Sequence, residues 1–300
     1  MLCFRGGVGH RYNPDLDTWT SITTTNAPTV TGGVSTIWTG SEMIVWGGSV
    51  WAAGQAFYFD TGAKYHLASD TWYPITTTNA PTGRSSHGAV WTDNKMIIWG
   101  GRAESGITNT GSLYDPINDS WSPITTTNAP TRSSPHLIWT GSQVIVWGGA
   151  DSTWLPLNDG ALYDPSTESW TAMNTQGAPT QQQTLSLWTG TELAVFTQAY
   201  VHPTHFIHFY NPVTNTWHTV YRRLIGASMN LGNDWGVIAD ELLVTRDGVY
   251  DLAQDKWLAL SNEEVGIRHV LWTGGHNFFG FHQGFMLRHS LDIIYPYIKD

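Results

Sequence analysis

The sequence predicts an all-β chain assembled from a repeated four-stranded unit, and three observations carry that expectation. The octapeptide ITTTNAPT occurs unchanged at residues 22–29, 75–82 and 124–131, and a fourth copy at residues 173–180 reads MNTQGAPT. Each copy follows a tryptophan (Trp19, Trp72, Trp121 and Trp170), so the unit recurs about every 50 residues, the mark of a repeat architecture. No segment sustains an apolar period of 3.6, and the apolar runs are short, rich in β-branched and aromatic residues, and bounded by turn formers.

Four landmarks order each unit into strands a to d. Strand a ends in Trp-Thr-Gly or a close variant, at Trp38, Trp91, Trp139, Trp188 and Trp272, and the glycine suits a tight a–b hairpin that needs positive φ. Strand b ends in a Gly-Gly pair: MIVWGG, MIIWGG and VIVWGG, with LCFRGG a looser copy at residues 2–7. Strand c ends in Tyr-Asp/Asn-Pro at Tyr12, Tyr114, Tyr163 and Tyr210, where proline cannot continue the ladder; Tyr250 lacks the proline. Strand d carries the later tryptophan, which adds Trp217 and Trp257 to the four above. The pattern loosens toward the C-terminus: Thr197-Gln198 and Arg246-Asp247 stand where Gly-Gly is expected, and a sixth strand a is hard to place near residues 231–238.

The ordered landmarks, repeated over nearly the whole chain, resemble the Kelch repeat of β-propellers. That resemblance implies an all-β, Kelch-type β-propeller with four-stranded blades, filling residues 1–300 as a single domain. Strand a would line the central channel and strand d the rim. The chain begins inside a repeat, at strand b. Closing the ring with residues 267–273 gives six blades. Reading residues 277–283 as another strand b gives seven, with residues 291–297 as the closing strand, and the count leans to seven. Copper radical oxidases share Kelch-like blades, but their cofactor needs a cysteine cross-linked to tyrosine. Cys3, the one cysteine, lies in the N-terminal Gly-Gly strand, so that chemistry does not carry over.

Composition excludes several classes. The 300 residues include 17 Trp and 12 Tyr but only 13% charged side chains, with a formal charge of −10. Without a Lys/Arg cluster there is no electrostatic footprint for nucleic acid. One cysteine precludes an internal disulfide and a Cys-rich zinc site. No run approaches 18 apolar residues, so no membrane insertion is expected, and the first ten residues lack the charged-then-apolar order of a leader. Sparse Lys with abundant Thr, Asn and Trp leans extracytoplasmic. The elbow, zincin and phosphate-loop signatures are absent.

Propeller geometry places the d–a and b–c loops on one face, and candidate ligand-binding residues follow from that placement. The d–a loops bring Arg84, His87, Arg132, His136 and Arg268. The b–c loops bring Trp51, Arg102, Glu104, Asp151, Trp154 and Tyr200. Aromatic faces would stack on a ligand while arginines hold a carboxylate. Arg84 and Arg132 occupy equivalent repeat positions, which also fits a blade-edge capping role. His87, His136 and His269 precede strand-a tryptophans without a local ligand spacing, and His202, His205 and His208 differ in strand parity, so no metal and no cofactor is assigned. The leading expectation is a monomeric ligand-binding or interaction module, for a protein or glycan. The alternatives are a lyase or epimerase on an acidic sugar, working through His, Arg and Tyr at the channel mouth, and a structural surface protein.

Overall fold

Every strand of the computed structural model belongs to an antiparallel sheet, and no helix occurs among the described residues. The structure describes residues 2–5, 7–13, 16, 18–29, 32–180, 183–198, 204–223, 237–239, 242–245, 248–251, 256–258, 270–272, 277–282 and 285–290. It divides into two compact units, Met1–Met173 and Asn174–Asp300.

The first unit holds a three-stranded sheet (Leu2–Arg5, Val8–Asn13, Thr18–Ser21) and three four-stranded repeat sheets. Their a, b, c and d strands are Ser35–Trp38, Glu42–Trp46, Gly62–His66 and Thr71–Pro74 in one. The next has Gly88–Trp91, Met96–Trp99, Gly111–Asp115 and Ser120–Pro123. The third has His136–Trp139, Val144–Trp147, Gly160–Asp164 and Ser169–Ala172. In each, strand order follows chain order, a to d. The second unit contains the sheet Gln183–Trp188, Leu193–Gln198, Thr204–Asn211, Thr216–Arg223 and a shorter one from Val237–Ala239 to Lys256–Leu258. Its last sheet pairs Val270–Trp272 with Asn277–His282, and Asn277–His282 with Phe285–Ser290. The proposed closing strand at residues 291–297 lies outside the described residues.

Strand b explains how the sheets stack. A strand exposed on one side would alternate apolar with polar. Instead Met43–Trp46, Met96–Trp99 and Val144–Trp147 are buried throughout, because alternate residues serve opposite neighbours. Met43 and Val45 pack with Ile22 of the preceding repeat, whereas Ile44 and Trp46 pack with Met96, Ile98, Tyr114 and Trp121 of the following one. Gly62 opens strand c beside this tryptophan because a Cβ there would stand 2.8 Å from the Trp46 ring and 2.5 Å from the Val45 carbonyl.

The repeated octapeptide builds the joint between sheets. Its first residue (Ile22, Ile75, Ile124, Met173) is buried and donates its N–H to the strand-c side of its own sheet. The second presents its carbonyl to the next repeat's strand-d indole. Trp72, Trp121 and Trp170 Nε1 donate to the oxygens of Thr23, Thr76 and Thr125 at 2.8–2.9 Å. Within the second unit Trp217 does the same to Asn174. The N–H of that second residue meets the next repeat's c–d turn: Thr23 donates to Asp70, Thr76 to Asp119 and Asn174 to Asn215. The same carboxylate or amide oxygen accepts the strand-c tyrosine hydroxyl, from Tyr65, Tyr114 or Tyr210. The Thr23 N–H, and then the Tyr65 hydroxyl, hold the Asp70 carboxyl below the usual carboxylate range.

The departures in the fourth copy preserve these jobs. Asn26, Asn79 and Asn128 take φ near +60°, and Gly177 replaces them at φ 83°. Each sits at the third position of a turn closed by a bond such as Ala27 N–H to Thr24 O, the pattern of a type II turn. Asn174 accepts the N–H two residues on, as Thr23 and Thr76 do. One joint is incomplete. Glu168, at φ 50°, replaces the Asp or Asn of the c–d turn, and neither Thr125 N–H nor the Tyr163 hydroxyl bonds to it.

Two outcomes test the joint in urea titrations of the intact chain. Trp121→Phe removes a buried donor and strands the Thr76 carbonyl, lowering stability by about 1–3 kcal/mol. Glu168→Asn relieves a left-handed glutamate and supplies the missing acceptor, raising stability by about 1 kcal/mol. An unchanged midpoint for Glu168→Asn removes the acceptor from the account.

Candidate functional site

The d–a and b–c segments of the first unit are tied together at one end of their sheets. Arg84–Ser85 pairs with Arg102–Ala103, and isolated bridges join Gly32 to Ser49 and Ser133 to Ala150. Bonds between neighbouring repeats continue the tie: Gly48 N–H donates to Arg84 O, Gly101 N–H to Arg132 O, and Ser134 N–H to Ser86 O. The Gly-Gly pairs make this possible, since all six glycines from Gly47-Gly48 to Gly148-Gly149 have φ between 61° and 98°.

Two hairpins rise from this base. Ser49–Ala52 and Gln55–Tyr58 are joined by Ala53 (φ 51°) and Gly54 (φ 79°), a two-residue turn with both central residues left-handed. Arg102–Ala103 and Gly106–Ile107 are joined across Glu104 and Ser105. Between the hairpins lies a cleft of about 590 Å³, walled by Gln55–Tyr58 on one side and residues 103–105 on the other, with Thr82 and Gly83 also lining it. Gly83 must lack a side chain: a Cβ would come within 2.6 Å of the Tyr58 carbonyl oxygen.

The structure separates the candidate residues into three groups. The first group is exposed on the loops. Trp51 is 75% exposed at the tip of its hairpin, and Trp154 is 60% exposed with φ 64°. Asp151 shapes the Trp154 loop: its carboxylate accepts the Thr153 hydroxyl and the N–H groups of Thr153 and Leu155, which together hold its carboxyl below the usual range. The Arg102 guanidinium lies over the Trp154 ring, 5.3 Å from its centroid. Glu104 is exposed and lines the cleft.

The second group is built into the scaffold. Arg84 is 1% exposed and spends five N–H donors on five acceptors: Thr82 O and Oγ1, Gly100 O, and Thr110 O and Oγ1. A guanidinium has five such donors, so none remains for a ligand. Arg132, equally buried, donates to Gly148 O and Asp159 O and pairs with the Asp159 carboxylate at 3.1 Å. His87 is wedged against Trp46, ring centroids 5.1 Å apart, with Nε2 2.9 Å from Ser35 Oγ and a buried Nδ1 without a hydrogen bond. Burial pushes its imidazole down to about 3. Burial also depresses His136, which pairs with Trp147 in the strand ladder. His87 precedes its strand a whereas His136 begins one, so their repeat positions differ by one residue.

The third group, Tyr200 and Arg268, lies outside the described residues, as does His269. Among the described residues no group of three or more His, Cys, Asp or Glu is placed to hold a metal ion. His208 is occupied instead: its ring nitrogens sit 3.0 Å from Thr197 Oγ1 and 2.9 Å from Thr219 Oγ1. The cleft itself escaped sequence reasoning. Of its walls only Glu104 was singled out, because Gln55–Tyr58, Thr82 and Gly83 carry no chemistry-bearing pattern.

The family model of the KLHDC2/KLHL20/DRC7 Kelch-repeats domain matches residues 8–196, more than half of the chain. The chain belongs to the Kelch-repeat family. Its fold is the expected all-β Kelch-type β-propeller, and a Kelch domain of this kind is an interaction and binding module. The landmark residues thereby acquire their structural meaning: Gly-Gly, Tyr and Trp are joint residues between blades.

Buried neutral histidines set an acid limit on the scaffold. The unfolded chain binds these protons near pH 6.5, whereas folded His87 binds only near 3 and folded His208 near 4. Stability is therefore full above pH 6.5 and falls as pH drops, by up to about 1.4 kcal/mol per pH unit for each such histidine. Urea midpoints of wild type and His87→Gln between pH 7 and 4.5 read this directly. The variant should show the shallower decline, and parallel curves would remove His87 as a contributor.

Proposed function

We propose that the chain is a single seven-bladed Kelch propeller domain, spanning residues 1–300, that binds a protein or glycan ligand on the face formed by its b–c and d–a loops. The observation that carries this reading is the cleft between the hairpins at Gln55–Tyr58 and residues 103–105, on the end of the sheets whose loops also carry exposed tryptophans. Trp51 projects from its hairpin with three quarters of its surface in water, and Trp154 is held in a left-handed conformation by the Asp151 loop. Exposed tryptophans are the residue type that anchors interfaces. Arg102, next in sequence to Ala103 of the cleft wall, places its guanidinium over the Trp154 ring. Trp51, Arg102, Glu104 and Trp154 are the proposed contact residues, and Asp151 positions Trp154. Arg84, Arg132, His87 and His136 support the face from within.

The intact chain is to be screened against peptide and glycan panels by interferometry, and the ligand found is then titrated onto variants. Trp51→Ala and Trp154→Ala should each weaken binding by about tenfold or more, the scale of an interface anchor. Their thermal midpoints should match wild type, since both rings are exposed. Ile117→Ala, in a c–d turn, should change nothing. Full affinity in both tryptophan variants would refute this face.

A further inference from the structure

The same cleft says what kind of partner it takes, given that the proposed binding face is correct. Gln55–Tyr58 belongs to a two-stranded sheet with Ser49–Ala52, and among the described residues no strand pairs with its other edge. The hairpin register fixes which groups lie on that edge. Ala52 and Gln55 flank the two-residue turn, and Phe59 N–H donates to Gly48 O at the other end. In an antiparallel ladder bonded and non-bonded residues alternate, so Gln55 and Phe57 bond inward, as does the Phe59 N–H, while Ala56 and Tyr58 direct their backbone groups outward; the Phe59 carbonyl accepts the Arg84 N–H. Gly83 covers the Tyr58 carbonyl, but nothing among the described residues bonds to the N–H or carbonyl of Ala56. Ala56 lines the cleft. An unpaired strand edge walling a cleft is a template for another extended chain.

The charge in the cleft points one way. Among the described residues Glu104, on the opposite wall, is the only formally charged side chain lining it, and no ion pair joins it. The nearby cation Arg102 lies over Trp154, and Arg84 is buried with all its donors used. The chain as a whole carries a formal charge of −10. Phe57, partly exposed on the facing strand, offers an apolar surface for the stem of a long basic side chain.

We propose that the cleft takes an extended basic segment of a partner protein, whose backbone pairs with the free edge at Ala56 while a lysine or arginine meets the Glu104 carboxylate. The contact is charge-assisted, and its sign steers encounter toward cationic partners.

A displayed library of random dodecapeptides selected on the intact chain tests this. Enriched peptides should carry Lys or Arg within a run of β-branched residues. Glu104→Arg should weaken a synthesised winner by at least about tenfold, and replacing its basic residue by Glu should restore binding to that variant. Backbone N-methylation of the winner, which leaves the protein untouched, should cost a similar factor at one position or more, and Ala56→Pro should match it. A library that enriches nothing, or enriches acidic or uncharged peptides, overturns the proposal, as does full affinity for Glu104→Arg or for every N-methylated peptide. Winners that ignore Glu104→Arg and Ala56→Pro but fail on Trp51→Ala or Trp154→Ala overturn only the basic-strand proposal. Winners indifferent to all four variants overturn the binding face as well.

Discussion

The hydrogen bond from the strand-d indoles of Trp72, Trp121, Trp170 and Trp217 to the carbonyl in the preceding repeat is the contact on which the described architecture turns. Blades of four strands bury little by themselves, and a two-sided apolar strand b must be covered by both neighbours. The indole N–H finds its acceptor only when the next sheet is seated at one height and one rotation. Its ring then packs against the strand-c tyrosine, with centroids 5.1 Å apart for Tyr65 and Trp72 and 4.8 Å for Tyr114 and Trp121. One donor therefore couples a polar bond, an aromatic pair and the register between sheets. The Asp or Asn at the c–d turn adds two further bonds to the same joint, and its left-handed backbone explains why those residue types recur there.

A second set of bonds, from the Gly-Gly pairs and buried arginines, performs the same task at the loop end. Arg84 and Arg132 each gather carbonyls at a point where strands b, c and the d–a segment meet, and a guanidinium is the one side chain with enough donors in a fixed plane to do so. This rigid base is what allows loops above it to be irregular. Left-handed residues such as Ala53 and Trp154 are costly in isolation, and they persist because the surrounding bonds over-determine the loop.

Much of this was legible in the residues. Four strands per unit, the strand boundaries at Gly-Gly and Tyr-Asp-Pro, and the left-handed glycine of the a–b hairpin each follow from local chemistry repeated many times. The seam between repeats was legible only as a repeat: nothing in ITTTNAPT says that its second carbonyl waits for an indole about 45–50 residues later. The site was less legible. Arg84, Arg132 and His87 share a residue type and loop position with plausible ligand contacts, yet burial assigns them to the scaffold, and burial is not a property of one segment. The wall at Gln55–Tyr58 escaped notice because its offering is backbone, which has no signature in a sequence.

The sequence alone determined the fold family, the order of strands in each repeat and the loops that share a face, since those depend on local propensity and on spacing repeated along the chain. Tertiary structure decided which polar residues face water and which face carbonyls, and where an unpaired strand edge meets a lone carboxylate. Those outcomes depend on distances between segments of different repeats, such as the hairpin around Ala53 and the turn at Glu104. Such distances are fixed by the joint between blades rather than by any segment's own residues.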